Sequence, residues 1–101
     1  MPYDGHRLAT MPEFLVEVYV SRGDGTAVEQ SARRARQAAK ELTMEGRAVH
    51  YRRSIFIPED ETCFFLYEAT TADDVAEAAR RAALPFDRVG VAVAARVGEE
   101  E

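Results

Sequence analysis

Residues Thr62 to Ala69, TCFFLYEA, are bulky and apolar at odd and even positions alike. A strand sends successive side chains to opposite faces. Such a segment at the margin of a small sheet would leave large apolar groups in water. It belongs in the middle of a sheet, with something covering each face. That requirement constrains how the rest of the chain is arranged. At 101 residues the chain has room for one such domain and not two.

The remaining pattern supplies the neighbours. Phe14, Val16, Val18 and Val20 alternate with Glu13, Leu15, Glu17 and Tyr19, which predicts a first strand. Ser21 to Gly25 is turn chemistry. Thr26 to Met44 carries Val28, Ala32, Ala35, Ala39 and Leu42 at spacings of three and four, which predicts a helix with a slim buried stripe. Gly46 is placed to cap it in the left-handed conformation. Arg47 to Ile57 reads as a second strand, and Pro58 to Glu61 as the turn into the third. Thr71 and Asp74 suit the start of a second helix, whose inner stripe is Val75, Ala78, Ala79 and Ala82. Pro85 stops that helix. Phe86 is read as a plug over the core, and Asp87 and Arg88 as a turn into a last strand over Val89 to Val97.

The order is strand, helix, strand, strand, helix, strand. It predicts an α+β, ferredoxin-like βαββαβ domain: a four-stranded antiparallel sheet with strands one and three central and both helices on one face. Residues 12–97 form that single domain, 1–11 a leader with Met11-Pro12 as an alternative start, and 98–101 an acidic tail. The helix-free face would carry Leu15, Glu17, Tyr19 and one side of TCFFLYEA. Large apolar side chains on an open sheet mark an interface or a ligand surface. A homodimer with its sheets packed face to face is the expected partner arrangement.

Charge and cysteine content narrow the functional classes. The formal net charge of −5 argues against nucleic acid, and the arginine clusters fall within helices. No apolar run approaches the ~20 residues of a membrane span, and the first residues, MPYDGHRLAT, lack a signal-peptide core. The single cysteine, Cys63, excludes an internal disulfide and a thiolate zinc cluster within one chain, and fits a reducing cytoplasm. No phosphate loop or nucleophile elbow is present.

Among candidate site residues, Glu17 stands out as a carboxylate amid apolar neighbours on the open face. Burial there would raise its pKa unless Arg53 or another cation paired with it. With Tyr19, Tyr51 and Tyr67 nearby it would make a proton-transfer or ligand pocket; otherwise a Glu–Arg bridge would fix dimer register. Arg52 and Arg53 fall on opposite faces by period two, one of them able to grip a carboxylate or phosphate. His50 and Cys63 are the metal-ligand candidates, with Glu17 or a second protomer supplying the rest. Against this stand a solvated edge-strand histidine and a buried, inert thiol.

The segments MPEFLVEVYV, YRRSIFI, CFFLYEATTADDVAEAARRAALP and FDRV resemble the domain of unknown function 4242 family, across about residues 11–97. Val16-Glu17, Tyr67-Glu68-Ala69 and Leu84-Pro85-Phe86-Asp87-Arg88 match its signatures. The family includes proteins described as nickel-binding. The resemblance implies a ferredoxin-like dimer and, in some members, nickel or another divalent metal or a small ligand on the open face. Departures from the pattern bear on that implication. Tyr51-Arg52-Arg53-Ser54 stands where many members have Trp-x-His-Ser, and arginine does not ligate nickel. The family's third-strand cysteine aligns with Phe65, two residues from Cys63, and Ala83 replaces a glycine before Leu-Pro. The first functional expectation is therefore a small binding protein. The alternatives are a cofactor-independent enzyme of the dimeric α/β-barrel type, isomerase or monooxygenase-like, and a structural or regulatory module without a site.

Overall fold

The computed structural model describes residues 11–93, so the leader before Met11, the last strand beyond Val93 and the acidic tail lie outside the described residues. The elements follow in the order β1 (Glu13–Tyr19), α1 (Gly25–Met44), β2 (Val49–Ile57), β3 (Thr62–Ala69), α2 (Ala72–Arg81) and β4 (Phe86–Ala92), with one 3-10 turn at Pro58–Asp60. The strands form one sheet in the order β2-β3-β1-β4. Every neighbouring pair is antiparallel. The fold is ferredoxin-like α+β, and TCFFLYEA is central as its two apolar faces require.

The core lies between the sheet and the helices. Phe14, Val16 and Val18 of β1 and Cys63, Phe65, Tyr67 and Ala69 of β3 are buried there. They meet Ala35, Ala38, Ala39 and Leu42 of α1 and Val75, Ala78 and Ala79 of α2. Alanine lets the helices lie close to the sheet, so bulk comes from the strands. Each fully buried large side chain contributes roughly 1.5–3 kcal/mol.

Both helix ends carry the same left-handed stop. Gly46 has φ 98° and Ala83 φ 58°. After α1, the Gly46 N–H donates to Thr43 O and the Arg47 N–H to Leu42 O, each near 3.0 Å. After α2, the Ala83 N–H donates to Arg80 O and the Leu84 N–H to Ala79 O, each at 3.0 Å. These are the paired bonds of a Schellman stop. The second helix therefore ends at its own capping turn, ahead of Pro85. At its start the Asp74 N–H donates to the Thr71 hydroxyl at 3.2 Å. The two helices are tied by Arg34 Nε donating to Ala82 O at 2.8 Å and by Arg81 bridging to Glu45 at 2.9 Å.

Two strand boundaries differ from the sequence reading. β2 begins at Val49, and β4 begins at Phe86, so Asp87 and Arg88 are strand residues and not a turn. The registers shift between Tyr51 and Arg53 on β2 and opposite Glu17–Val18 on β4. Phe86 is half-buried and packs against the core, as expected of a plug. None of the described helices is long and apolar enough to cross a membrane.

Candidate functional site on the open sheet face

The open face is laid out by the register. Glu17 lies opposite Phe64 on β3 and Arg88 on β4, and Leu15 opposite Leu66 and Gly90. Ile55 lies opposite Phe64, and Arg53 opposite Leu66. Leu15, Phe64 and Leu66 are half-buried, while Tyr19 is 62% and Ile55 44% exposed. Polar residues fringe this surface at one end, with Glu13 opposite Glu68 and His50 also opposite Glu68.

At its centre the Arg88 Nε donates to Glu17 Oε1 at 3.1 Å. The cation beside Glu17 is Arg88, not Arg53, because Arg53 sits two strands away on β2. Glycine at position 90 leaves a small pit beside the ion pair, about 70 Å³, walled by Leu15, Phe64 and Val91.

Three of the sequence candidates belong to the other side of the sheet. Tyr67 pairs with Phe14 and Tyr51 with Tyr67, on the helix-covered face. Their rings meet edge-on at 5.8 Å. The tyrosines therefore do not gather around Glu17; only Tyr19 shares its face. Cys63 is fully buried under the helices. The polar ends of β3, Thr62 and Glu68, share the even-numbered face with Phe64 and Leu66 and are the signal that could have placed that face outward.

Arg52 and Arg53 do not follow the simple alternation either. The bulge inserts Arg52 without a partner of its own, and its guanidinium reaches Glu68 at 3.9 Å while Arg53 stands opposite Leu66. A bulge puts two residues against one and breaks the period-two count. Sequence reasoning missed Arg88 as the partner of Glu17, because it assigned Arg88 to a turn.

Burial dictates the chemistry of the covered groups. Loss of water pushes the Cys63 thiol up to about 11, so it is neutral and a poor nucleophile near neutral pH. Burial, and then the neighbouring Tyr51, raises Tyr67 well above the ordinary tyrosine value. The Tyr67 hydroxyl has no hydrogen-bond partner among the described residues. It stays protonated, and none of the described residues offers an acceptor within hydrogen-bond reach.

These placements do not fit a nickel ion held within one protomer. His50 is exposed at the rim of the open face and Cys63 is sealed beneath the helices, with the sheet between them. Among the described residues no group of three or more His, Cys, Asp or Glu is placed to hold a metal.

The comparisons with known proteins agree with this architecture. The crystal structure of SCO4226 from Streptomyces coelicolor A3(2) superposes with a TM-score of 0.69, covering 83% of this chain and 99% of that one at 16% identity. At that identity the likeness shows the fold. The search of curated proteins gave no match. The family described as "Nickel responsive protein SCO4226-like" matches residues 14–91. That span takes in both helices and all four strands except the terminal residues Glu13 and Ala92, and the chain belongs to the SCO4226-like family of nickel-responsive proteins.

Proposed function

We propose that the protein is a small binding protein that acts as a homodimer, its two open sheet faces packed together and a ligand held between them beside Glu17 and Arg88. The observation that carries this reading is the open face itself. It is apolar over β1, β3 and β2, yet its central charges already neutralise one another at 3.1 Å. Burying a charged group costs least when it is paired beforehand. Binding is favoured over acid–base catalysis because Glu17 is engaged by Arg88 and two of the three tyrosines face away from it.

Nickel enters this reading only across two protomers. His50 is the imidazole that each described chain contributes, and carboxylates such as Glu68 and Glu13 stand at the same rim. The kinship with the domain of unknown function 4242 family, and a cytoplasmic setting, belong to the same proposal.

Sedimentation velocity on the untagged protein tests it. A dimer is expected at micromolar concentration, weakened in Glu17→Ala, which leaves Arg88 without its partner at the contact. A monomer across the accessible range overturns the reading. Titration of the chelator-treated dimer with nickel chloride is expected to give binding that His50→Ala abolishes; binding unchanged in that variant removes His50 as the donor.

A further inference from the structure

The C-terminal half of α1 and strand β2 enclose a second concavity, on the helix-bearing side and at the β2 edge. Its volume is about 400 Å³, within the range of small-molecule sites. Arg36, Lys40 and Met44 recur at intervals of four along α1 and form one wall. Ala39 and Tyr51 make an apolar floor, and Arg52 and His50 close the β2 side. The chain as a whole carries a net charge of −5, yet among the described residues no carboxylate lines this groove. A basic, apolar-floored groove on an acidic protein is a local departure from the charge balance.

The walls are also held in place. The Thr43 hydroxyl donates to Val49 O at 2.9 Å and accepts from the Val49 N–H at 3.1 Å, pinning the end of α1 to the start of β2. The Arg36 guanidinium lies 5.4 Å from the centre of the Tyr51 ring, a cation–π arrangement that presents its donors beside an aromatic surface. Tyr51 is in turn fixed by the hydrogen bond between its hydroxyl and that of Ser54 and by the Tyr67 ring behind it. A rigid site loses less entropy when it binds.

We propose that this groove binds an amphipathic organic anion, an aromatic or alkyl carboxylate whose apolar body lies on Tyr51 and Met44 and whose charge meets Arg36 and Lys40. A planar carboxylate matches the guanidinium fork. The apolar floor gives a bare inorganic anion nothing to cover. The helix wall and the Tyr51 floor lie on the helix-bearing side of the sheet, while His50 and Arg52 stand on the strand edge that the groove shares with the rim of the open face.

The full chain, labelled with nitrogen-15, is titrated with 2-naphthoate, with the neutral 2-naphthalenemethanol, with inorganic phosphate and with triglutamate. Saturable shifts from 2-naphthoate are expected to cluster at Lys40, Met44 and Tyr51. Arg36→Ala is expected to weaken binding about tenfold, the scale of a lost charge-assisted hydrogen bond, while Arg33→Ala leaves it unchanged. Arg36 is exposed on its helix and alanine favours helix, so the variant folds; an unaltered melting temperature verifies this. Four outcomes overturn the proposal: an unchanged Kd in Arg36→Ala, equal binding of the neutral alcohol, phosphate binding as tightly as naphthoate, or triglutamate binding more tightly, which would assign the groove to an acidic segment.

Discussion

Ala83 holds a left-handed conformation, φ 58°, at the position where Gly46 closes the other helix. A β-carbon in that region costs roughly 1–2 kcal/mol, part of which is offset because alanine restricts the unfolded chain. Ala83→Gly is therefore expected to stabilise the protein by about 0.5–1 kcal/mol, read from urea unfolding, and Gly46→Ala to destabilise it by a similar amount. The glycine that the resemblance places before Leu-Pro was thus legible as a departure, and the capping turn supplies the reason for it. Cys63 gives a second prediction. Its thiol rises from 9.0 to about 11 because it is buried. A raised folded pKa means that the unfolded chain gives up the proton first as pH rises. The stabilisation is complete below pH 9 and is lost on the way to pH 11, on the order of 2 kcal/mol from this group. Cys63→Ala is expected to flatten that part of the stability-against-pH curve. The native thiol should resist a disulfide reagent at pH 8 until the chain is unfolded.

The elements were the most legible part of the chain, since their signals are local. TCFFLYEA, the alanine stripe of α1, the Thr71 cap and Gly46 each carry their own physical reason, and each is found where that reason puts it. Faces and partners were less legible. β3 is bulky on both sides, so alternation alone did not say which side met the helices, and Tyr67 and Tyr51 were expected on the face of Glu17. The bulge at Arg52 lies in the pairing of β2 with β3, a long-range relation that no short window contains. The groove on α1 escaped notice because Arg36, Lys40 and Met44 read as a solvated helix face until β2 is placed beside them. How elements are held together is open to test. Leu42 is fully buried, and Leu42→Ala is expected to cost 2–5 kcal/mol, about the usual range for a core truncation. Arg81 reaches both Glu45 and Glu77 across the helix ends, but exposed pairs of this kind are weak. Arg81→Ala is expected to move the urea midpoint far less than Leu42→Ala does in the same titration.

At the scale of the whole molecule, a four-stranded sheet covered on one side leaves Leu15, Phe64, Leu66 and Ile55 on a surface that water must otherwise cover. If two such faces pack together, folding and association are linked by mass action, and the melting temperature rises with protein concentration. Leu66→Glu separates this from ordinary folding stability. Leu66 is half-buried and stands opposite Arg53, so in an isolated protomer the new carboxylate has a cation within reach and access to water. In a face-to-face dimer the same carboxylate would be taken out of water near the centre of the contact, at a cost of several kcal/mol. The variant is expected to keep its far-ultraviolet circular dichroism, to sediment as a monomer and to melt at a temperature independent of concentration. Leu42→Ala, by contrast, lies in the core on the other side of the sheet, so it should lower stability while the slope of melting temperature against concentration persists. A Leu66→Glu protein that still sediments as a dimer would place the contact elsewhere, with the β2 and β4 edges, which pair with no further strand among the described residues, as the next surfaces to test.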